Sequence, residues 1–311
     1  MASGAHTILP GTVRGCRSVL LLAASLLPGP MANAASPPLF AERWIDGTNG
    51  AEPATHVQAL DADTFVIRQS VKTNFEAPFV YLLFGRDKAL LIDTGAQDGQ
   101  IRPAVDALIA DWLAANKRSA IPLVVAHSHN HGDHVAGDAA FRGRPDTTVI
   151  GLAPADVAAF FGIDPWPDSM ASFDLGGRKL SILATPGHQA AAIMVYDPRL
   201  KILLSGDTLY PGRLYIPVNF LGDNRASINR LAAFARTHPI RAVLGAHIEM
   251  TRTPGQDYPH EASSHPDEHL LELPAGSISE LRRGLGAKLD VPGEGQVHDH
   301  FIIMPVPARD E

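Results

Sequence analysis

Short apolar runs, each closed by polar or small residues, recur along the chain and set its predicted elements. Thr64–Arg68 alternates like an edge strand. Phe79–Phe84 and Ala89–Asp93, joined by Gly85-Arg86-Asp87-Lys88, read as a hairpin closed by Asp93-Thr94-Gly95. Over Ile101–Asn116 the period changes, and Val105, Leu108, Ile109 and Leu113 form one helical stripe. Ile121–Ala126 reads as a buried strand, Val149–Leu152 as another and Pro154–Phe161 as a short helix. Three further strands are predicted over Arg178–Ala184, Ala192–Tyr196 and Lys201–Leu204. A helix over Ala226–Arg236 and a strand over Ala242–Gly245 follow, and Ser277–Leu285 reads as a last helix capped at Ser277 or Ser279. Residues 36–54, rich in Pro and Gly, are expected to wrap the surface. Residues 208–223 read as a long broken loop of the kind that serves a site, with Tyr210, Leu214, Tyr215 and Phe220 as lining candidates. Residues 250–269, with His260, His265 and His269, read as a solvated polar stretch. No internal repeat is evident, and the pattern alone supports an α/β or α+β class.

The strand ending at Ala126 runs into His127-Ser128-His129-Asn130-His131-Gly132-Asp133-His134: four histidines and an aspartate in eight positions. Imidazole with carboxylate is the donor set of a borderline metal such as zinc. From His129 the pattern is H-x-H-x-D-H. In an extended segment His129 and His131 point the same way and can grip one ion, while Asp133 and His134, one short turn later, can grip a second. A purification-tag-like tract does not follow a buried strand in this way. Pairing His127 with His129 instead leaves Asp133 and His134 out of register, so His127 is read as orienting a neighbour.

This stretch, with Thr185-Pro186-Gly187-His188, Ser205-Gly206-Asp207-Thr208 and Gly245-Ala246-His247 in that order, resembles the metallo-β-lactamase-fold hydrolases from about Phe79 to His247. The resemblance implies an αββα sandwich, two mixed sheets with helices outside and the metals at one edge. It also implies two divalent ions, zinc first and iron or manganese as alternatives. His129, His131 and His188 would hold one, Asp133, His134 and His247 the other, with Asp207 bridging. Asp93 would be either a supporting carboxylate near the metals or a strand-end turn residue. Water between two such ions loses its proton readily, from a pKa of 15.7 toward about 7, and the hydroxide attacks an ester, thioester, lactone or related bond. Asp133 would also orient that hydroxide and pass its proton on.

True metallo-β-lactamases of this fold carry Cys or Ser where Asp207 stands, so β-lactam hydrolysis would at most be a minor activity. Tyr210, three residues after Asp207, is similar in position to a tyrosine that assists the developing oxyanion in lactonases of the fold. Gly206-Asp207-Thr208-Leu209-Tyr210 is also similar to the GDTLF-type run of glyoxalase II-like thioesterases. A single-iron sulfur dioxygenase of the same fold is the alternative. Serine-hydrolase chemistry has no support, because neither G-x-S-x-G nor S-x-x-K occurs.

Composition narrows the setting. Residues 1–34 read as a secretory signal: Arg14 and Arg17 flank an apolar core, Ser18–Leu27, broken by Pro28-Gly29-Pro30, with Ala32-Asn33-Ala34 offering small residues for cleavage. That core is too short for a permanent membrane anchor. The remainder, 35–311, is then one metallo-hydrolase domain, periplasmic or secreted. Cys16 is the only cysteine, so removal of the leader leaves no thiolate ligand and no disulfide. The formal charge of −7 becomes −9 once Arg14 and Arg17 are lost. So acidic a surface argues for a small-molecule substrate and against nucleic acid or anionic lipid. Nothing in the pattern specifies an oligomeric state.

Overall fold

The structure, a computed structural model, describes residues 1–5, 7, 39–289 and 291–309. The leader read over residues 1–34 lies outside the described residues save for 1–5 and 7. Contacts divide the chain into Met1–Pro38 and Leu39–Glu311, and every element belongs to the second unit. Among the described residues no helix is long and apolar enough to cross a membrane.

The first sheet has the order β1 (Thr55–Asp61), β2 (Thr64–Gln69), β3 (Phe79–Phe84), β4 (Ala89–Ile92), β5 (Leu123–Ala126), β6 (Thr147–Val149). Its first four strands form an antiparallel meander, after which β5 and β6 run parallel to β4. Between β4 and β5 lies α1 (Ile101–Ala115); α2 (Gly132–Val135) and α3 (Asp138–Arg142) precede β6, and α4 (Pro154–Phe161) follows it. The second sheet repeats the plan. An antiparallel meander of β7 (Met170–Asp174), β8 (Lys179–Ala184), β9 (Ile193–Asp197) and β10 (Ile202–Gly206) leads through α5 (Leu221–Ala235) to β12 (Ala242–Gly245), parallel to β10. β13 (Glu272–Leu273) closes that edge, and α6 (Gly276–Gly284) follows. β11 (Arg213–Pro217), β14 (Gln296–Val297) and β15 (Ile302–Val306) make a small third sheet, with β15 between the other two.

The continuous apolar strands are explained by burial on both faces. In β3, Phe79, Tyr81 and Leu83 join Leu180, Ile182, Ile193 and Val195 of the opposite sheet in one cluster between the sheets. Val80, Leu82 and Phe84 face the other way, onto Val105, Ile109 and Trp112 of α1. On the far side Met194, Tyr196, Leu203 and Val243 meet Ile228 and Leu231 of α5 and Ile278 and Leu281 of α6. Helix, sheet, sheet, helix is therefore the layering, as the resemblance implies.

Several expectations need correction. β2 is not an edge strand, because β1 pairs outside it. The segment 208–223 is not all loop: Arg213–Pro217 pairs in parallel with Ile302–Val306, and α5 begins at Leu221. Leu214 packs in the core, not along a pocket. The 250–269 stretch is not uniformly solvated. His265 and Glu268 are buried, Glu268 pairs with the buried Arg68 of β2, and His265 stacks on Tyr258 at 4.3 Å. Neither Ser277 nor Ser279 caps α6, whose N-cap position is Ala275.

Candidate metal centre

Five strand ends deliver the site. Asp93 follows β4, the His127–His134 run follows β5, His188 follows β8, Asp207 follows β10 and His247 follows β12. The sheets are pinned together there: Phe79 N–H donates to Ala246 O at 2.7 Å, and Ile193 N–H donates to Ser128 O at 2.8 Å. Two glycines permit the close approach. Gly206 has φ +51°, and a Cβ on it would stand 2.6 Å from Ser128 Cβ. Gly187 has φ +148°, and a Cβ there would stand 2.5 Å from Asn224 Cα.

All seven residues named as ligands come together, in two groups. His129, His131 and His188 form one; Asp133, His134, Asp207 and His247 form the other, and within each group the donor atoms lie within 4.8 Å of one another. In the first, His131 Nδ1 is 2.9 Å from His129 Nε2 and 3.0 Å from His188 Nε2. In the second, Asp133 Oδ2 is 3.0 Å from His134 Nε2 and 3.2 Å from His247 Nε2. Asp207 stands between them. Its Oδ2 lies 3.8 Å from His129 Nε2 and 3.7 Å from His188 Nε2, and its Oδ1 lies 3.5 Å from His134 Nε2 and 3.4 Å from His247 Nε2.

These donors fit cations. Two nitrogens bound to one tetrahedral zinc at about 2.0–2.1 Å stand roughly 3.3 Å apart, close to the spacings seen. Asp207 Oδ1 is buried without a hydrogen-bond partner, which is costly for a carboxylate unless something positive meets it.

The remaining ring nitrogens are held from behind, which fixes ring orientation. His134 Nδ1 lies 2.9 Å from Asp93 Oδ2, and Asp93 also accepts from Ser128 N–H at 2.7 Å and Ser128 Oγ at 2.8 Å. Asp93 is thus a supporting carboxylate. His188 Nδ1 reaches Tyr215 O at 2.7 Å, and His247 Nδ1 reaches Glu76 O at 2.8 Å. His127 stays out of both groups and pairs with Asp138, Nε2 to Oδ1, at 2.8 Å.

The groups differ electrostatically. Burial, then the neighbouring His134, pushes His129 well below the ordinary imidazole value; burial and His188 bring His131 to about 4. Burial would also lower His134 and His247, but Asp133, Asp207 and, for His134, Asp93 overcome it. His134 is held well above its ordinary value and His247 is raised to about 10. Burial would raise the Asp133 and Asp207 carboxyls, yet the histidines around them hold both well below the carboxylate range.

A pocket of about 340 Å³ opens over the centre, lined by Tyr210, Tyr215, Glu76 and Glu249 among others. Tyr210, the candidate for assisting the substrate oxygen, reaches this pocket with its phenol engaged: it donates to Arg213 O and lies 3.1 Å from Glu249 Oε2. A phenol has one proton to give. Reading the sequence alone misses Glu76 and Glu249. Glu249 stands two residues beyond His247, whereas nothing local marks Glu76.

Two sheets layered between helices, with two His/Asp donor groups at the shared edge, define a metal-site sandwich protein. Residues 73–247 match the metallo-beta-lactamase superfamily, and the chain belongs to that superfamily. Over 110 residues it is 33% identical to a hydroxyacylglutathione hydrolase of Mesorhizobium japonicum, covering 34% of this chain and 43% of that protein. Over 201 residues it is 26% identical to an acyl-coenzyme A thioesterase of Bos taurus, covering 54% of this chain and 72% of that protein. The match thus spans less than half of the Mesorhizobium relative. Among solved structures, a metallo-beta-lactamase from Pontibacter korlensis is similar at a TM-score of 0.48 and 19% identity, covering 75% of this chain and 100% of that one.

Proposed function

We propose that the protein is an exported metal-dependent hydrolase acting on an ester, thioester, lactone or related bond of a small molecule. Two divalent ions serve it, zinc first and iron or manganese as alternatives. The observation that carries the reading is Asp207, whose two oxygens each face one donor group. His129, His131 and His188 would hold one ion, and Asp133, His134 and His247 the other, with Asp207 shared. When bound, the ions supply an acidified water, with a pKa of about 7, and polarise the oxygen of the bond to be cleaved.

The chain's own groups do the rest. Asp93, Tyr215 O and Glu76 O hold the rear nitrogens of His134, His188 and His247, so the opposite nitrogens face the centre without reorganising. Asp133, beside His134 and His247, would accept a proton from that water and pass it to the leaving group. Tyr210 supports the wall beside His247, its ring 5.6 Å away. Similarity to a hydroxyacylglutathione hydrolase and a thioesterase supports thioesters among the candidate bonds. The single-iron oxygenase alternative needs one group only; the four close donors of the second group favour two ions.

A screen of purified protein against lactones, thioesters, phosphodiesters and β-lactams tests the activity. Turnover of a carbonyl substrate that a chelator abolishes and zinc restores is expected; no chelator-sensitive hydrolysis would contradict it. Export rests on the leader pattern of residues 1–34. Protein from its native host should begin near Ala35 on N-terminal sequencing, and a retained Met1 would contradict export.

A further inference from the structure

The pocket walls carry charge that neither donor group uses. Glu76 is part-buried, its backbone carbonyl is engaged by His247 and its N–H donates to Asn74. Among the described residues its carboxylate makes no hydrogen bond or ion pair. Glu249 is also part-buried and is fixed in place: its Oε2 accepts from Arg213 N–H at 2.9 Å and from Arg213 Nε at 3.3 Å. Arg213 is shared with Asp257, Nη1 to Oδ2 at 3.1 Å, so its single charge faces two carboxylates. Apart from the histidines of the two donor groups, the basic members of the pocket are His260 and Arg309, both exposed. Exposed charges are screened by salt within about 8–10 Å, and part-buried ones much less. Outside the donor groups, the inner wall is therefore acidic in effect.

We propose that this wall selects by charge, with Glu76 as the main specificity-determining residue and Glu249 as the second. Substrates bearing an amine or ammonium group near the cleaved bond are favoured, and those whose leaving group carries carboxylates or phosphates are disfavoured. The proposal rests on the hydrolase reading of the same pocket. At a separation of about 8 Å and an effective dielectric constant of about 20, one part-buried carboxylate discriminates by about tenfold or more. Glutathione and coenzyme A thioesters are thereby poor substrates.

Thiols that bind a cobalt centre test this without turnover. The full chain is loaded with cobalt(II) and titrated with thiocholine, 2-mercaptoethanol and glutathione, following the thiolate-to-cobalt absorption band and comparing affinities per thiolate. Thiocholine should bind at least about tenfold more tightly than 2-mercaptoethanol, and glutathione more weakly than either. Glu76→Gln should lower the thiocholine-to-glutathione ratio about tenfold. Should that variant fail to hold cobalt, the wild-type ratio still decides: the preference for thiocholine must persist as salt is raised, because part-buried carboxylates are screened much less than exposed charges. Glutathione binding as tightly as thiocholine, a preference lost as salt is raised, or a ratio indifferent to Glu76→Gln would overturn the proposal. Failure to bind cobalt at all would bring down the metal reading and this proposal with it; cobalt bound without charge order brings down this proposal alone.

Discussion

Asp133 is assigned two tasks, holding an ion and moving a proton, and one substitution separates them. An amide in Asp133→Asn still offers an oxygen but cannot accept the proton. Turnover should fall about a hundredfold to ten-thousandfold, while His129, His131 and His188 keep their ion. Activity and metal content on one preparation check this; near-normal kcat would make Asp133 a ligand only. The histidines make a second prediction. His134 and His247 carry protons at neutral pH because Asp133 and Asp207 hold their pKa values up, that of His247 to about 10. A cation must displace those protons, so affinity at the second group should rise with pH towards that value. His129 and His131, the latter brought to about 4, are neutral at that pH and need no such displacement. Calorimetry in buffers of different ionisation enthalpy should show proton release for one ion at neutral pH and little for the other. Equal release by both would contradict the assignment. The seven donors were legible because each follows an apolar run, and a strand that ends in His or Asp announces itself locally. What holds them was less so: Glu76 O and Tyr215 O are backbone groups, which no residue type reveals.

At the scale of elements, the long-range partnerships were hidden. β11 looks like loop because Pro211, Gly212 and Pro217 punctuate it, and its partner β15 lies about ninety residues away. Pro305 is tolerated in β15 because β14 pairs only with Ile302 and Ile303, leaving the Pro305 nitrogen no ladder bond to make. The buried pair of Arg68 and Glu268 is likewise invisible locally, being 200 residues apart. It ties the 250–269 segment, which carries His260 to the pocket, onto β2. Removing one partner leaves a buried charge. Arg68→Ala should cost about 3–5 kcal/mol, and replacing both partners by apolar residues of similar size should cost much less. Denaturant unfolding of the single and double variants measures this; equal losses would show that packing, not charge, is at stake.

Within Leu39–Glu311 the two six-stranded sheets follow one plan used twice. Each half lays down a four-stranded meander, then a helix, then a parallel strand, and Ala89–Asp93 and Ile202–Asp207 end in aspartates at matching places. Asp93 braces His134 from behind while Asp207 stands between the donor groups. The repeat escaped the sequence because what recurs is strand order, and only a few apolar residues share it. Joining the halves at their strand ends puts donors from both sheets around Asp207, and a two-ion centre is the central claim. The most direct test is elemental analysis of protein purified without chelator, read as ions per chain. A ratio near two is predicted; a reproducible single ion per chain, unchanged by added zinc at mildly alkaline pH, would contradict it.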